Sequence, residues 1–249
     1  MIFRQLFDPV SSTYTYLLGC EQTGKAALID PVLPEWQRDL AVLQALGLTL
    51  DCTLETHVHA DHITSALRLK RETGSRIAYP ETSHVRCADV ALRHGEPHRI
   101  GGITLMPAHT PGHTDDHFCF RLDDRVFTGD ALLIDGCGRT DFQNGDAALL
   151  FHSVHEKLFS LPGETLVYPA HDYHHRHVST IAQERERNPR LGQGRTQAEF
   201  VAIMENLDLP YPTFIDHAVP GNRQCGVCPD GVDQGLMRYC EKSGQPQGA

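Results

Sequence analysis

In the stretch Glu55-Thr56-His57-Val58-His59-Ala60-Asp61-His62, the last six residues place three imidazoles and one carboxylate close together in the chain. In an extended segment successive side chains alternate between two faces, so His57 and His59 point the same way. A turn into the helical pattern that follows would bring Asp61 and His62 back to the same place. The pattern predicts ligands for one metal ion or for two adjacent ions. The alternative is a polar loop that is rich in histidine by chance.

Further candidate ligands follow other predicted strands. His113, Asp130 and His171 each come directly after a predicted strand, as His57 does. The carboxyl ends of strands are where open sheets gather ligands and functional loops. Four separate segments that converge in this way favour a metal site over a chance cluster. Nitrogen and carboxylate donors without thiolates suit zinc, iron or manganese better than a structural cysteine-based zinc.

The composition narrows the class of protein. The chain has 249 residues, of which 40% are hydrophobic and 22% charged, and its formal charge is -10. This charge argues against nucleic acid or an anionic membrane as the main partner. No apolar run is long enough for a membrane span, and the start lacks the pattern of a targeting peptide. The eight scattered cysteines favour reduced thiols, so we expect a cytoplasmic protein without a disulfide framework.

Strand and helix patterns alternate in two similar halves, which predicts an α/β fold with sheets at the centre. Helices are expected over residues 35–46, 63–73 and 81–92, and Asp146 is expected to cap a helix that ends near residue 160. No linker divides the chain. We therefore predict one catalytic domain over residues 1–210, with residues 211–249 packed on the same domain as an ordered loop that ends in a flexible tail.

The metal-ligand motifs resemble those of the metallo-β-lactamase superfamily. Within it, the run Gly136-Cys137-Gly138-Arg139-Thr140-Asp141-Phe142-Gln143 resembles the persulfide dioxygenase branch. So do Tyr168-Pro169-Ala170-His171-Asp172-Tyr173, Asn188-Pro189-Arg190 and Ala218-Val219-Pro220-Gly221-Asn222. The likeness extends over about residues 3–227, and the run from Gly136 is more specific than the metal motif.

The resemblance implies a four-layer αββα sandwich with the metal at the edge of the sheets. It also implies one Fe(II) per chain, held by His57, His113 and Asp130, a 2-His-1-carboxylate set that leaves positions open for substrate and oxygen. The remaining candidates would orient these ligands and hydrogen-bond nearby water. They are His59, Asp61, His62 and His171. The spacing of the residues alone favours two metals.

The reaction that the resemblance implies is the oxidation of glutathione persulfide by O2 and water to glutathione and sulfite, in a homodimer. Because glutathione carries two carboxylates, we expect cationic and hydroxyl donors in its pocket. The expected substrate contacts are Arg139, Asp141, Tyr173, Asn222 and Cys225. Arg139 and Asp141 could instead pair with each other and brace their loop.

Two other functions remain open at this point. A thioester hydrolase of the glyoxalase II type would use two metals and a bridging hydroxide, and the complete ligand set allows it. The run from Gly136 to Gln143 and the C-terminal segment favour the dioxygenase. A non-enzymatic sulfur sensor or carrier would use the thiols of Cys225 and Cys228.

Overall fold

A computed structural model describes residues 1–228 of the chain, which fold around two six-stranded sheets. The strands of the first sheet, in chain order, are β1 Ile2–Asp8, β2 Thr13–Gly19, β3 Lys25–Ile29, β4 Thr49–Leu54, β5 Arg76–Pro80 and β6 Val90–Leu92. Those of the second are β7 His98–Ile100, β8 Ile103–His109, β9 Phe118–Arg121, β10 Arg125–Gly129, β11 Leu166–Pro169 and β12 Ser179–Thr180. Each half of the chain therefore forms one sheet.

Helices connect the strands and cover the sheets. They are α1 Trp36–Ala45, α2 Ala66–Thr73, α3 Ala147–Ser153, α4 Ile181–Arg187, α5 Gln197–Glu205 and α6 Ile215–Asn222. Asp146 caps α3 by accepting a hydrogen bond from the Leu149 N–H, as predicted, and a π-helical turn, Val154–Leu158, continues the helix. No helix within residues 1–228 is long and apolar enough to cross a membrane.

The two sheets run through their strands in chain order but differ in strand direction. In the first sheet β1, β2 and β3 are antiparallel neighbours, and β3 to β6 are parallel. In the second sheet β10 and β11 are parallel and the other neighbours are antiparallel. The parallel strands β4, β10 and β11 precede three of the four ligand segments.

Alternation along the strands separates the inner core from the outer ones. In β3, Ala27 and Ile29 face the core between the sheets, whereas Ala26 and Leu28 face α1 and α2. In β10, Phe127 faces inward, and its neighbour Val126 packs in the cluster with α3, α4 and α5. Helices cover the outer face of each sheet, so these strands are buried on both faces. Burial on both faces explains why the strands consist of unbroken apolar runs. The order helix, sheet, sheet, helix confirms the predicted αββα sandwich.

Two predictions of secondary structure were wrong. Residues 81–92, expected to form a helix, contain the 3-10 turn Glu81–Ser83 and then β6, because pairing of Val90 with Ala78 in β5 overrides local preference. The segment after residue 210, expected to be a loop, contains α6, whose Ala218 packs near Leu33. The predicted flexible tail lies outside the described residues.

The expectation of reduced thiols was wrong for part of the chain. Cys87 and Cys225 form a disulfide between segments that lie 138 residues apart in sequence, with a Cα–Cα distance of 6.1 Å. Cys228 is also disulfide-bonded. Sequence spacing could not predict the pair, because its two cysteines approach each other only in the folded chain. Within residues 1–228, four cysteines are free and buried: Cys20, Cys52, Cys119 and Cys137.

Candidate metal centre

The predicted ligands meet at one edge of the sandwich, each supplied by the segment that follows a strand. His57 follows β4, His113 follows β8, Asp130 follows β10 directly and His171 follows β11. The side chains of His57, His113 and Asp130 place their ligand atoms within 4.8 Å of one another, and we call these three the first group. The predicted convergence of strand ends is therefore observed.

The first group contains an unsatisfied buried carboxylate. The Nε2 atom of His113 lies 3.2 Å from Oδ2 of Asp130. The other oxygen, Oδ1 of Asp130, is buried and has no hydrogen-bond partner among residues 1–228. A buried carboxylate oxygen without a partner is unfavourable unless a proton or a cation balances it. Nε2 of His171 lies 3.6 Å from this atom.

Hydrogen bonds fix which ring nitrogen of each imidazole in the first group is free. The Thr56 hydroxyl donates to Oδ2 of Asp30 at 2.9 Å, so its oxygen accepts from Nδ1 of His57 at 3.0 Å. Nδ1 of His113 donates to the carbonyl of Arg139 at 2.6 Å. Both Nε2 atoms therefore keep their lone pairs. Burial, reinforced by neighbouring histidines such as His59, holds the pKa of His57 well below its usual range, which keeps that ring neutral.

A second group, defined as His59, Asp61, His62 and His171, lies beside the first. His62 donates from Nδ1 to Oδ2 of Asp61 at 2.9 Å, and its Nε2 is buried without a partner. His59 donates from Nε2 to the Asp30 carboxylate at 3.0 Å, which leaves its Nδ1 without a partner. His171 donates from Nδ1 to a backbone carbonyl, and its Nε2 lies 3.6 Å from both Asp61 and Asp130.

These donors fit a metal ion. Each of the five imidazoles binds an oxygen through one nitrogen and presents the other toward the shared centre, and two carboxylates join them. Although burial raises the pKa of Asp61, the nearby His62 and His171 lower it well below its usual range. Neutral imidazoles and ionised carboxylates are the forms that bind divalent zinc, iron or manganese.

Two glycines allow the backbone to pass close to the candidate ligands and to the supporting side chain of His117. A Cβ on Gly138 would lie 2.6 Å from Nδ1 of His113 and 2.7 Å from the Asp130 carbonyl, to which the Gly138 N–H donates. Gly129 has a φ of +50°, and a Cβ there would lie 2.4 Å from Nε2 of His117. The specificity of the run from Gly136 therefore has a physical basis, since only glycine fits against the ligands.

Three supporting residues were missed by the sequence analysis. Asp30, at the end of β3, binds both the Thr56 hydroxyl and His59. His117 accepts the Asp130 N–H at its Nε2, 3.0 Å away, and Asp116 accepts the N–H of Val58 at 2.9 Å. Asp30 gave one usable signal, because it too follows a strand. The other two lie just beyond His113 and act through the backbone of the ligand segments.

A cavity of about 880 Å³ opens beside the two groups. Asp61, His113, Asp130 and His171 line its inner part, and the loop that contains Arg139 lines one wall. Leu209, which is exposed, lies at another wall. The metal-binding side chains are thus accessible to a ligand of moderate size.

Three of the predicted substrate contacts lie at or beside this cavity. Arg139 donates twice to Asp141, both at 2.6 Å, and once to the carbonyl of Pro210 at 2.8 Å. The expected bracing pair is therefore present, and most of the guanidinium is engaged. Tyr173 also lines the cavity, with its exposed ring parallel to that of His171 at a centroid distance of 5.9 Å.

The structure does not place Asn222 and Cys225 in the cavity. The Asn222 side chain is fully buried, where it donates to the carbonyls of His59 and His62 at 2.9 and 2.8 Å. It also accepts the N–H of Thr64. Cys225 is buried in its disulfide and packs in an apolar cluster. Asn222 therefore positions the ligand loop from behind, a contact between distant segments that no local pattern reveals.

Two further arginines line the cavity. Arg176 forms an ion pair with Asp135. Arg190 donates from Nη1 to the carbonyl of Cys137 at 2.9 Å, and within residues 1–228 it has no carboxylate partner. Among the arginines that line this cavity, Arg190 is the one whose charge no described carboxylate balances. The sequence analysis quoted Arg190 only as part of a motif.

The model of the metallo-beta-lactamase superfamily matches residues 8–171, which include every member of both groups. The chain therefore belongs to the metallo-beta-lactamase superfamily.

Near full-length relatives identify the branch. The chain is 50% identical to human mitochondrial persulfide dioxygenase ETHE1 over 230 residues, which cover 91% of this chain and 89% of that protein. The crystal structure of ETHE1 from Myxococcus xanthus shares 54% identity, with a TM-score of 0.89 over 91% of this chain and 100% of that one. These matches confirm the predicted resemblance to the persulfide dioxygenases.

The likeness to thioester hydrolases is shorter. The hydroxyacylglutathione hydrolase of Methylococcus capsulatus is 36% identical over 168 residues, which cover 66% of this chain and 64% of that protein. The match leaves a third of each protein unaligned. Shared residues of the metal motif are therefore insufficient to assign the hydrolase reaction.

Proposed function

We propose that this chain is a persulfide dioxygenase, an oxidoreductase that converts glutathione persulfide, O2 and water to glutathione and sulfite. The observation that carries the proposal is the identity of one half over 91% of the chain with a protein of that name. The reaction balances, since O2 and one water supply the three oxygen atoms of sulfite. The thioester hydrolase is less well supported because its relatives align over only two thirds of the chain.

We propose further that the first group binds one ferrous ion per chain. The two free Nε2 atoms and the unsatisfied Oδ1 of Asp130 support this assignment, because two histidines and one carboxylate are typical of non-heme Fe(II) oxygenases. When bound, such an ion supplies electrons for oxygen activation and open positions for substrate. The Arg139 carbonyl and the Thr56 hydroxyl fix the rings of His113 and His57, so the donors are oriented before binding.

The cavity explains how glutathione persulfide could be positioned. Arg190 offers a fork of donors to one of the two carboxylates of glutathione, since the described side chains leave its charge unbalanced. Tyr173 offers a phenol at the cavity wall. Arg139 contributes through the loop that it braces against Pro210. Asp141 does not line the cavity, so it would act on the substrate only by holding Arg139 in place.

The second group has a supporting role in this proposal. Nε2 of His171 lies between the carboxylates of Asp61 and Asp130, which suits it to hold a water molecule or to move a proton near the reacting sulfur. The predicted homodimer and cytoplasmic location stay predictions. An analysis of the native mass and of cell fractions would test them.

Oxygen uptake and metal content, measured on the same sample, test the proposed reaction. We expect one iron per chain, oxygen consumption that requires glutathione persulfide, and sulfite as product. The hypothesis of a thioester hydrolase predicts two metals per chain and release of thiol from S-lactoylglutathione without oxygen. An iron-loaded protein that hydrolyses the thioester and consumes no oxygen would overturn the proposal.

Substitution of Arg190 tests the proposed substrate contact. We expect Arg190→Ala to raise the KM for glutathione persulfide by roughly 10-fold or more, since a charge-assisted hydrogen bond contributes about 1.5–3 kcal/mol. Iron content should not change, and the KM of Arg190→Lys should lie between those of the unmodified protein and Arg190→Ala. Arg195→Ala is a matched control, because Arg195 also donates to a backbone carbonyl and is half-buried like Arg190, but does not line the cavity. An unchanged KM for Arg190→Ala would contradict the assignment.

A further inference from the structure

A second, smaller cavity of about 510 Å³ adjoins the Cys87–Cys225 disulfide, on a different part of the surface from the metal centre. None of the residues that line it lines the cavity beside the metal. Cys87 belongs to its wall and is half-buried. Cys225 is fully buried. The disulfide therefore presents one of its two sulfurs to this cavity.

The cavity has a positive character. Arg86 and Arg223 line it beside Cys87, and both are exposed. Within residues 1–228 neither arginine forms an ion pair, and Glu81 and Asp89, which are close to Arg86 in sequence, pair with Arg93 and Lys70. Two unbalanced guanidinium groups next to a half-exposed sulfur attract a small anion that also carries a thiol.

We propose that this cavity is a thiol–disulfide exchange site at which a small anionic thiol of the glutathione class opens the bridge by attack on Cys87. The site is separate from the proposed dioxygenase reaction and does not depend on it. Cys87 is the sulfur under attack because Val58, Ala66 and Tyr79 enclose its partner Cys225. A thiolate must approach along the axis of the S–S bond, and only the Cys87 side adjoins the cavity.

The exchange step balances without an added oxidant. The glutathione thiol releases its proton to solvent, and its sulfur forms a new S–S bond with Sγ of Cys87. The bond between Cys87 and Cys225 breaks, and Cys225 leaves with the electron pair and takes up a proton. The products are a mixed disulfide on Cys87 and a free thiol on Cys225.

The bridge lies behind the metal-binding loop, so its opening has a consequence there. The carbonyl of Cys225 accepts the N–H of Leu67 at 3.1 Å, in the helix that follows the loop. Asn222, three residues before Cys225, holds the carbonyls of His59 and His62. The disulfide ties the chain just after α6 to Cys87, while the hydrogen bonds of Cys225 and Asn222 link the same part of the chain to the segment that carries the ligands. We expect an opened bridge to loosen this anchor and to speed the loss of metal to a chelator.

Peptide mapping after exposure to glutathione tests the site directly. The full-length protein, purified without reductant, is incubated with excess glutathione, alkylated and digested. We expect a glutathione adduct on Cys87 and an alkylated thiol on Cys225, with fragment ions that separate Cys225 from Cys228. An adduct on Cys225, no adduct on either cysteine, or two free thiols before glutathione is added would each overturn the proposal.

Charge-removing variants test the role of the arginines. We expect Arg86→Ala with Arg223→Ala to slow the exchange with glutathione on the order of 10-fold, while exchange with the uncharged thiol 2-mercaptoethanol changes little. Arg121→Ala is the matched control, because Arg121 is exposed and lies outside this cavity. An equal loss of rate with both thiols would show that the variants act on the fold and not on recognition.

Discussion

The first and second groups lie side by side and contain the same residue types, yet they are satisfied in different ways. In the first, His57 and His113 direct one nitrogen outward, to the Thr56 hydroxyl and the Arg139 carbonyl. In the second, His62 and Asp61 bond to each other at 2.9 Å. Both groups present imidazole nitrogens toward the shared centre, but only the second contains a hydrogen bond between two of its own members.

Thr13 adds to this difference. Its hydroxyl donates to Oδ2 of Asp61 at 3.1 Å, the same oxygen that accepts from His62. Oδ1 of Asp130, in contrast, is buried without a hydrogen-bond partner in the described part of the chain. Both groups contain unsatisfied buried atoms, but a cation at the first group would satisfy Oδ1 of Asp130 without breaking a hydrogen bond. A cation bound by Oδ2 of Asp61 in the second group would compete with the hydrogen bonds from Thr13 and His62. This contrast favours a single ion bound by the first group, although the spacing of the residues in the sequence favours two metals.

Removal of one histidine from each group tests the contrast and has the largest expected effect. We expect His113→Ala to lose nearly all bound iron and to lower kcat/KM by on the order of 10³-fold, because a direct ligand is lost. His62→Ala should keep at least half of the iron and lose about 10- to 100-fold in activity. Metal quantification with oxygen uptake measures both. Equal loss of iron in the two variants would show that the groups bind the metal jointly.

The parts of the site that could be predicted are those with a local signature. The segment from His57 to His62 combines alternation with a turn, and His113, Asp130 and His171 follow strands. The αββα order followed from a resemblance and from runs of buried strand. These features depend on neighbours in sequence, or on the general rule that strand ends meet at one edge of a sheet.

The parts that could not be predicted depend on contacts between distant segments. Asn222 meets the carbonyl of His59 across 163 residues, and Cys87 meets Cys225 across 138. Neither pair has a periodic pattern. The helix α6 was missed because Pro220 and Gly221 within it are typical of loops, yet burial of Ala218 and Asn222 keeps the segment helical. Tertiary packing, which one sequence does not display, decided these cases.

Asn222 allows the ligand loop to be weakened without a change in any ligand. We expect Asn222→Ala to lower the free energy of unfolding by about 1–3 kcal/mol, because two buried carbonyls lose their donor. Iron affinity, measured by competition with a chelator, should fall by roughly 10-fold, as for other losses of supporting contacts. Asn206→Ala is a matched control, since Asn206 donates to one carbonyl at the exposed end of α5. If Asn222→Ala lost no more stability and iron affinity than Asn206→Ala, the ligand loop would keep its geometry without Asn222.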